Sequence, residues 1–411
     1  MINVIFVLFS TLFLFHLNSS EHAFVPGEYV IKLNPQEKSF LKTSESVSTD
    51  GAWKLLRVED NKDLLNSFKM NEAQSVLSVL KNIPGVLFVE PNYIYSIPEK
   101  NIENIKSIPN DPSYDQLWGM KAIEAEEAWK ISKDSGDIVI AVIDSGVDYT
   151  HEDLVDNMWS REVDGKIIHG FNAINDSLDP KDDNGHGTHC AGTIGAMGDN
   201  SKGVVGVNWK SKIMGIKFLS SRGSGSLDDA IQAIDWAVEN GADILSNSWG
   251  GGAYSEALKE AIERARDAGV LFIAAAGNDS SNNDDEAAYP ASYDLSNVIS
   301  VGALNIENNL ADFSNFGKET VHIAAPGKDI FSTYIEKFFF GSLYKKLSGT
   351  SMACPHVSGA AALYWANNRS SSLDEVKEAL FKSSNKNDHL SEKIANDGAT
   401  LNLRKLMTGS F

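Results

Sequence analysis

The sequence predicts an α/β domain in which a mostly parallel sheet lies between helices, preceded by a smaller α+β unit. Two observations carry this reading. From Asp111 onward, short apolar runs alternate with amphipathic helical stretches that end at glycines. Before Asp111 the pattern is strand, helix, strand, followed by a polar stretch without periodicity.

The chain has 411 residues, 42% of them hydrophobic and 22% charged. That composition excludes whole-chain disorder, a collagen repeat, a coiled coil and a disulfide scaffold. The net charge of −20 repels phosphate backbones and anionic headgroups, which argues against nucleic acid as a partner. Nearly all of this acidity lies after residue 110, as solubilising charge or as carboxylates able to hold calcium.

The elements follow in order. Residues 1–23 contain an apolar run, Ile2 to Leu17, which reads as a cleaved signal peptide or as an uncleaved anchor, and no second span follows. Residues 24–98 form the α+β unit. Gly27 to Leu33 alternates like a strand, Glu72 to Asn82 carries helical spacing at Val76, Val79 and Leu80, and Val86 to Tyr95 alternates again. Residues 99–110 are an exposed linker suited to proteolytic cutting, and residues 111–411 form the larger domain.

In that domain the strand candidates are Ile138–Ile143, Lys212–Phe218, Ile244–Ser248, Val270–Ala275 and Val298–Val301. Helices are expected over Leu227–Asn240, stopped by Gly241, and Tyr254–Ala268, stopped by Gly269. Functional residues of such sheets collect at the carboxyl ends of the strands. Cys190 and Cys354 are the only cysteines, as free buried thiols or as one mutual disulfide.

Four stretches carry candidate chemistry. Asp144 closes the apolar strand that ends at Ile143, as a turn residue or as a carboxylate placed in a protected cleft. His186 and His189 stand in Asn184-Gly185-His186-Gly187-Thr188-His189, without the further ligands that a zinc site needs; His189 also reads as a satisfied core histidine. Ser351 opens a small-residue helix after Gly349-Thr350, where free N–H groups favour negative charge; a simple helix cap is the alternative. Asn278 ends the buried strand Val270–Ala275, as a donor or as a turn residue.

Asp, His and Ser in this chain order, with Asn between the last two, is one of the known orders of a hydrolytic triad. With Asp144-Ser145-Gly146, His186-Gly187-Thr188-His189, Ala275-Ala276-Gly277-Asn278 and Gly349-Thr350-Ser351-Met352-Ala353-Cys354-Pro355-His356, the chain resembles the subtilase family of serine endopeptidases from about Asp111 to Met407. The earlier segment, with Ile83-Pro84-Gly85-Val86 and Glu90-Pro91-Asn92, is similar to the propeptide of these enzymes.

The resemblance implies a three-layer subtilisin-like domain behind a ferredoxin-like propeptide. It implies Ser351 as nucleophile, His186 as general base, Asp144 as the residue orienting it, and Asn278 in the oxyanion hole. It implies that a peptide adds as a strand between Gly223-Ser224-Gly225 and Ser248-Trp249-Gly250, with pocket walls from Trp249 to Gly251 and from Ala275-Ala276-Gly277. Asp279 and Asp284-Asp285-Glu286 are expected near the pocket rim and predict tolerance for a basic residue before the scissile bond. Structural Ca²⁺ is implied at Asp153 with Asp199 and Asn200; Asp179, Asp182 and Asp183 form either a second site or a solvated turn.

The expected protein is thus a secreted, monomeric endopeptidase acting on polypeptides, made as a self-processing zymogen whose propeptide is its intramolecular inhibitor, with no membrane contact after signal removal. A catalytically silent relative is the alternative. An esterase lacks support because no Gly-x-Ser-x-Gly surrounds Ser351, and Gly223-Ser224-Gly225 is too short for a nucleotide loop.

Overall fold

A computed structural model describes residues 24–35, 41–43, 48, 52–61, 73–96, 113–336 and 342–409. The expected signal peptide and the expected processing linker lie outside the described residues.

The N-terminal unit comprises β1 (Phe24–Leu33), β2 (Trp53–Arg57), helix α1 (Ala73–Lys81) and β3 (Val86–Ser96). Its antiparallel sheet closes over a separate small core of Tyr29, Ile31, Leu56, Leu80, Ile83 and Val89. The larger domain follows with β4 (Asp134–Asp144), the hairpin β5 (Arg161–Val163) and β6 (Lys166–Ile168), β7 (Gly170–Asn172), and helix α2 (His186–Gly195). After α2 come β8 (Lys210–Lys217), β9 (Ser224–Ser226), α3 (Leu227–Glu239), β10 (Ile244–Asn247), α4 (Glu256–Asp267) and β11 (Leu271–Ala275). The remaining elements used here are β12 (Val298–Leu304), β13 (Ile323–Pro326), the hairpin β14 (Ile330–Thr333) and β15 (Tyr344–Leu347), and α5 (Thr350–Asn367).

Seven strands pair in the order β13-β12-β11-β10-β4-β8-β7, and every pairing is parallel. The apolar run of β4 shows why the sheet is covered on both faces. Ile138, Ile140 and Val142 point into one core, which they share with α2 and α5; Val139, Ala141 and Ile143 point into the other, shared with α3 and α4. This is the three-layer α/β arrangement that the alternating pattern predicts. Helix α5 runs through the interior with residues 350–363 all buried, which its small residues permit. Both cysteines are free and buried.

The N-terminal unit docks through its last strand. Residues 94–96 pair antiparallel with β9, Ile94 opposite Ser226 and Ser96 opposite Ser224, so β9 completes the order β2-β1-β3-β9. Just before this pairing, two side chains seat on helix N-termini. The Glu90 carboxylate accepts from Ser255 Oγ (2.6 Å) and from the Glu256 and Ala257 N–H groups (both 3.2 Å) at the start of α4. Asn92 Oδ1 accepts from the Leu227 N–H (3.0 Å) and the Asp228 N–H (3.3 Å) at the start of α3. Those N–H groups have no partner within their own helices, so the docked unit supplies what the helix ends lack. Lys32 adds an ion pair to Glu260 at 2.7 Å.

Candidate active site

The carboxyl ends of β4, β10 and β11 converge with the amino ends of α2 and α5, as expected for a parallel sheet. Asp144 is the last residue of β4 and is fully buried. Its two oxygens lie 2.9 Å from His186 Nδ1, and Oδ1 also accepts the Ser145 N–H at 2.6 Å. His186 opens α2 after Gly185, whose φ of +106° and whose contact with the Tyr334 ring leave no space for a side chain.

Burial pulls the His186 pKa down, and the Asp144 carboxylate, with the Cys190 sulfur beside it, more than reverses this, so the imidazole titrates well above its ordinary value. Nδ1 is taken by Asp144, while Nε2 is buried and has no hydrogen-bond partner among the described residues. A buried polar atom without a partner costs about 1–3 kcal/mol, and Nε2 is the nitrogen left available once Asp144 has taken Nδ1.

Ser351 lies in the first turn of α5 and is buried. Its Oγ donates to Ser248 O at 3.0 Å, and Ser248 Oγ donates back to Ser351 O at 2.9 Å. This reciprocal pair ties the end of β10 to the start of α5. Cys190 Sγ lies beneath, 3.5 Å from Ser351 O and 4.0 Å from His186 Nδ1. One ligand atom each from Asp144, His186 and Cys190 falls within 4.8 Å of the others.

Asn278 follows β11, and its Oδ1 accepts from the Thr350 N–H (2.9 Å) and from Thr350 Oγ1 (3.0 Å). Thr350 Oγ1 in turn accepts the Gly277 N–H at 3.1 Å. With its oxygen taken by Thr350, the Asn278 amide keeps its NH₂ end as the donor side. Thr350 and Ser145 bond directly to Asn278 and Asp144, contacts that sequence reasoning did not anticipate.

The strand edge named from the sequence, Gly223-Ser224-Gly225, carries the chain's own residues 95 and 96 opposite Gly225 and Ser224. On the other side Trp249 turns its indole into the core against Phe218, ring centroids 4.8 Å apart, so only its backbone faces the cleft beside Ser248 and Gly250. Ala275 and Ala276 are buried. Of the rim acids, Asp284 accepts from the Glu319 N–H, the Thr320 N–H and Thr320 Oγ1, and Asp285 from Asn282 Nδ2. The Asp279 N–H donates to Asn315 Oδ1, which also takes the Ser281 N–H and shapes the loop beyond Asn278.

Two of the candidate metal ligands meet. Asp153, fully buried, accepts from Asn200 Nδ2 at 2.7 Å and from the Val204 N–H at 2.9 Å. Both of these partners are N–H donors, and Asn200 Oδ1 accepts the Lys202 N–H, so oxygen ligation of a hard cation here would require the Asn200 amide to turn. Asp199 adjoins Asn200 in the same loop. Asp179 and Asp182 are instead committed to protein donors. Asp179 Oδ1 accepts from Tyr149 OH and the Lys181 N–H; the buried Asp182 carboxylate accepts five hydrogen bonds from Ser145, Asn184, Gly185 and Thr188.

A buried carboxylate–imidazole pair beside a serine at a helix N-terminus is the equipment of a serine hydrolase. Comparison with known proteins gives the class its family. The subtilase family profile matches residues 135–398. The chain is 35% identical to a thermophilic serine proteinase of Bacillus sp. (strain AK1), over 90% of this chain and 85% of the relative. It is 38% identical to thermitase of Thermoactinomyces vulgaris over 64% of this chain and 88% of the relative, and 40% identical to an intracellular serine protease of Paenibacillus polymyxa over 66% and 77%. The chain belongs to the subtilase family and is a serine endopeptidase. No helix among the described residues is long and apolar enough to cross a membrane.

Proposed function

We propose that Ser351, His186 and Asp144 form the hydrolytic triad of a secreted endopeptidase made as a self-processing zymogen. The observation that carries this reading is the His186 ring, held through Nδ1 by Asp144 with its Nε2 buried and unpartnered next to the helix that bears Ser351. Rotation of the Ser351 hydroxyl from Ser248 O to Nε2 makes His186 the base. Oγ attacks the peptide carbonyl carbon while its proton passes to Nε2, and Asp144 stabilises the imidazolium that forms. The oxyanion sits between the Ser351 N–H and the Asn278 amide, near the amino end of α5. His186 then gives its proton to the leaving amine, and water repeats the sequence on the acyl-enzyme.

The substrate binds as a strand on β9 and along Ser248-Trp249-Gly250, with the side chain before the scissile bond against Ala275-Ala276-Gly277. Residues 94–96 on β9 support an N-terminal unit that occupies this edge as inhibitor until it is cut away after Pro98. The apolar run from Ile2 to Leu17 supports export. Asp153, Asp199 and Asn200 would hold a structural Ca²⁺, whose charge would offset the buried carboxylate and fix the loop that follows α2. We take the mature enzyme to be a monomer. A serine-directed fluorophosphonate tests the triad: wild type should be labelled on Ser351 and hydrolyse a chromogenic peptide, whereas Ser351→Ala and His186→Ala should do neither. Equal labelling of wild type and Ser351→Ala, or a stable unlabelled wild type, refutes it.

A further inference from the structure

We propose that Asp182 is a positioning residue for peptide hydrolysis, locking the strand end that carries Asp144 to the helix that carries His186; this rests on the triad reading above. Asp182 Oδ1 accepts from Ser145 Oγ and from the Asn184 and Gly185 N–H groups, all at 2.9 Å. Oδ2 accepts from the Thr188 N–H at 3.0 Å and Thr188 Oγ1 at 2.6 Å. Capping of α2 accounts for the bonds to Thr188 and the turn before it. It does not account for Ser145, which belongs to the other carrier.

Ser145 is the link. It follows Asp144 directly, its N–H holds Asp144 Oδ1, and its Oγ, while donating to Asp182, accepts the Gly187 N–H at 3.0 Å. Gly187 follows His186. One hydroxyl thus joins the residue after the acid to the residue after the base, and Asp182 sets its direction. The carriers touch here: a Cβ on Gly187 would fall 2.1 Å from Gly146 O and 3.1 Å from Asp144 Cβ. On its other side Ser145 is held by the buried Lys217, whose Nζ donates to Ser145 O (2.9 Å), Leu219 O (2.8 Å) and Asp183 Oδ1 (2.6 Å). Lys217 stands opposite Asp144 in the β4–β8 pairing.

The consequence is geometric. Asp144 and His186 lie 42 residues apart on different elements, and their 2.9 Å contact depends on how those elements are joined. Releasing the joint lets the imidazole drift, and a misplacement of ~1 Å at a reacting group costs on the order of 10²-fold in rate. An amide at position 182 cannot serve, since either orientation turns an NH₂ toward N–H or O–H donors.

The test is Asp182→Asn and Ser145→Ala, each titrated for active sites with the fluorophosphonate before kinetics. Per titrated site, kcat should fall by about 10–100-fold in Asp182→Asn and less in Ser145→Ala, with KM within about threefold. The acid limb of kcat/KM against pH should move to lower pH in both, because a loosened Asp144 supports the His186 imidazolium less well. The double variant should lose less than the two single losses multiplied, since both act through one bond. If Asp182→Asn does not mature, Ser145→Ala decides alone. A wild-type kcat per site with an unmoved acid limb in Ser145→Ala overturns the proposal, as does strict multiplicativity. An unlabelled wild-type Ser351 overturns the triad reading instead, so the two failures are distinguishable.

Discussion

The slowing of N-terminal-unit release between pH 8 and pH 6 should be about tenfold greater in wild type than in Glu90→Gln. Burial pushes the Glu90 carboxyl up to about 7 from its ordinary 4.5, against the lowering effect of the Ser255 hydroxyl and the Ala257 and Glu256 N–H groups, with the Glu256 carboxylate adding to the rise. Undocking returns Glu90 to water and to the lower value. The docked state therefore binds the proton more tightly, so this contribution to docking is complete below about 4.5 and is lost as pH rises through 7. At pH 6 the docked carboxyl is protonated about 10:1 and at pH 8 about 1:10, while the free carboxyl stays ionised at both. The difference is a factor of about ten, or ~1.4 kcal/mol. Asp229, also raised to about 7 by burial and the adjacent Asp228, with Glu28 of the docked unit contributing, works in the same direction. The assay is the onset of peptide hydrolysis from the cut complex, normalised to the final rate at each pH, with complex and free enzyme resolved by size exclusion. Equal pH ratios for wild type and Glu90→Gln, or faster release at pH 6, refute the reasoning.

Further outcomes are expected at the site and in its supports. Asn278→Ala should lower kcat by about 10²–10³-fold with little change in KM, the loss measured for such a donor in this same family; a drop confined to KM in steady-state kinetics contradicts the oxyanion role. Chelation should lower the Tm of wild type by several degrees, as loss of a cation held at ~100 Kd removes about 2.7 kcal/mol. Asp153→Asn should be insensitive to the chelator by calorimetry, and an equal response in both proteins places the ion elsewhere. Ala360→Leu, in a fully buried turn of α5, should cost about 1–3 kcal/mol in denaturant unfolding while leaving KM unchanged, because it overfills the core and not the cleft.

Much of the fold was legible because burial on both faces writes itself as uninterrupted apolar strands. Ile138–Ile143 and Val270–Ala275 fall within or around the observed β4 and β11, and the helix expected over Leu227–Asn240 matches α3 to within a residue. Short or polar strands left no such mark. Trp53–Arg57, Gly170–Asn172 and Ile323–Pro326 owe their pairing to neighbours distant in sequence, and three to five residues carry too little periodicity to announce it. At the site, Asp144, His186, Asn278 and Ser351 stood out because each lies at or just beyond the end of an element. The acidic run around Asp182 read as solvent-facing or cation-binding because charge is visible in a sequence and burial is not. Only the fold shows that its five donors come from the chain itself. The place of Trp249 along the cleft edge was legible, whereas the packing of its ring against Phe218 was not.

The central claim, that Ser351 cuts peptide bonds including one in its own chain, is tested most directly by intact mass of the secreted wild type and Ser351→Ala. The account predicts that wild type loses about 10 kDa between Pro98 and Asp111, at ~110 Da per residue, while Ser351→Ala keeps the N-terminal unit. A Ser351→Ala protein processed as fully as wild type would contradict it.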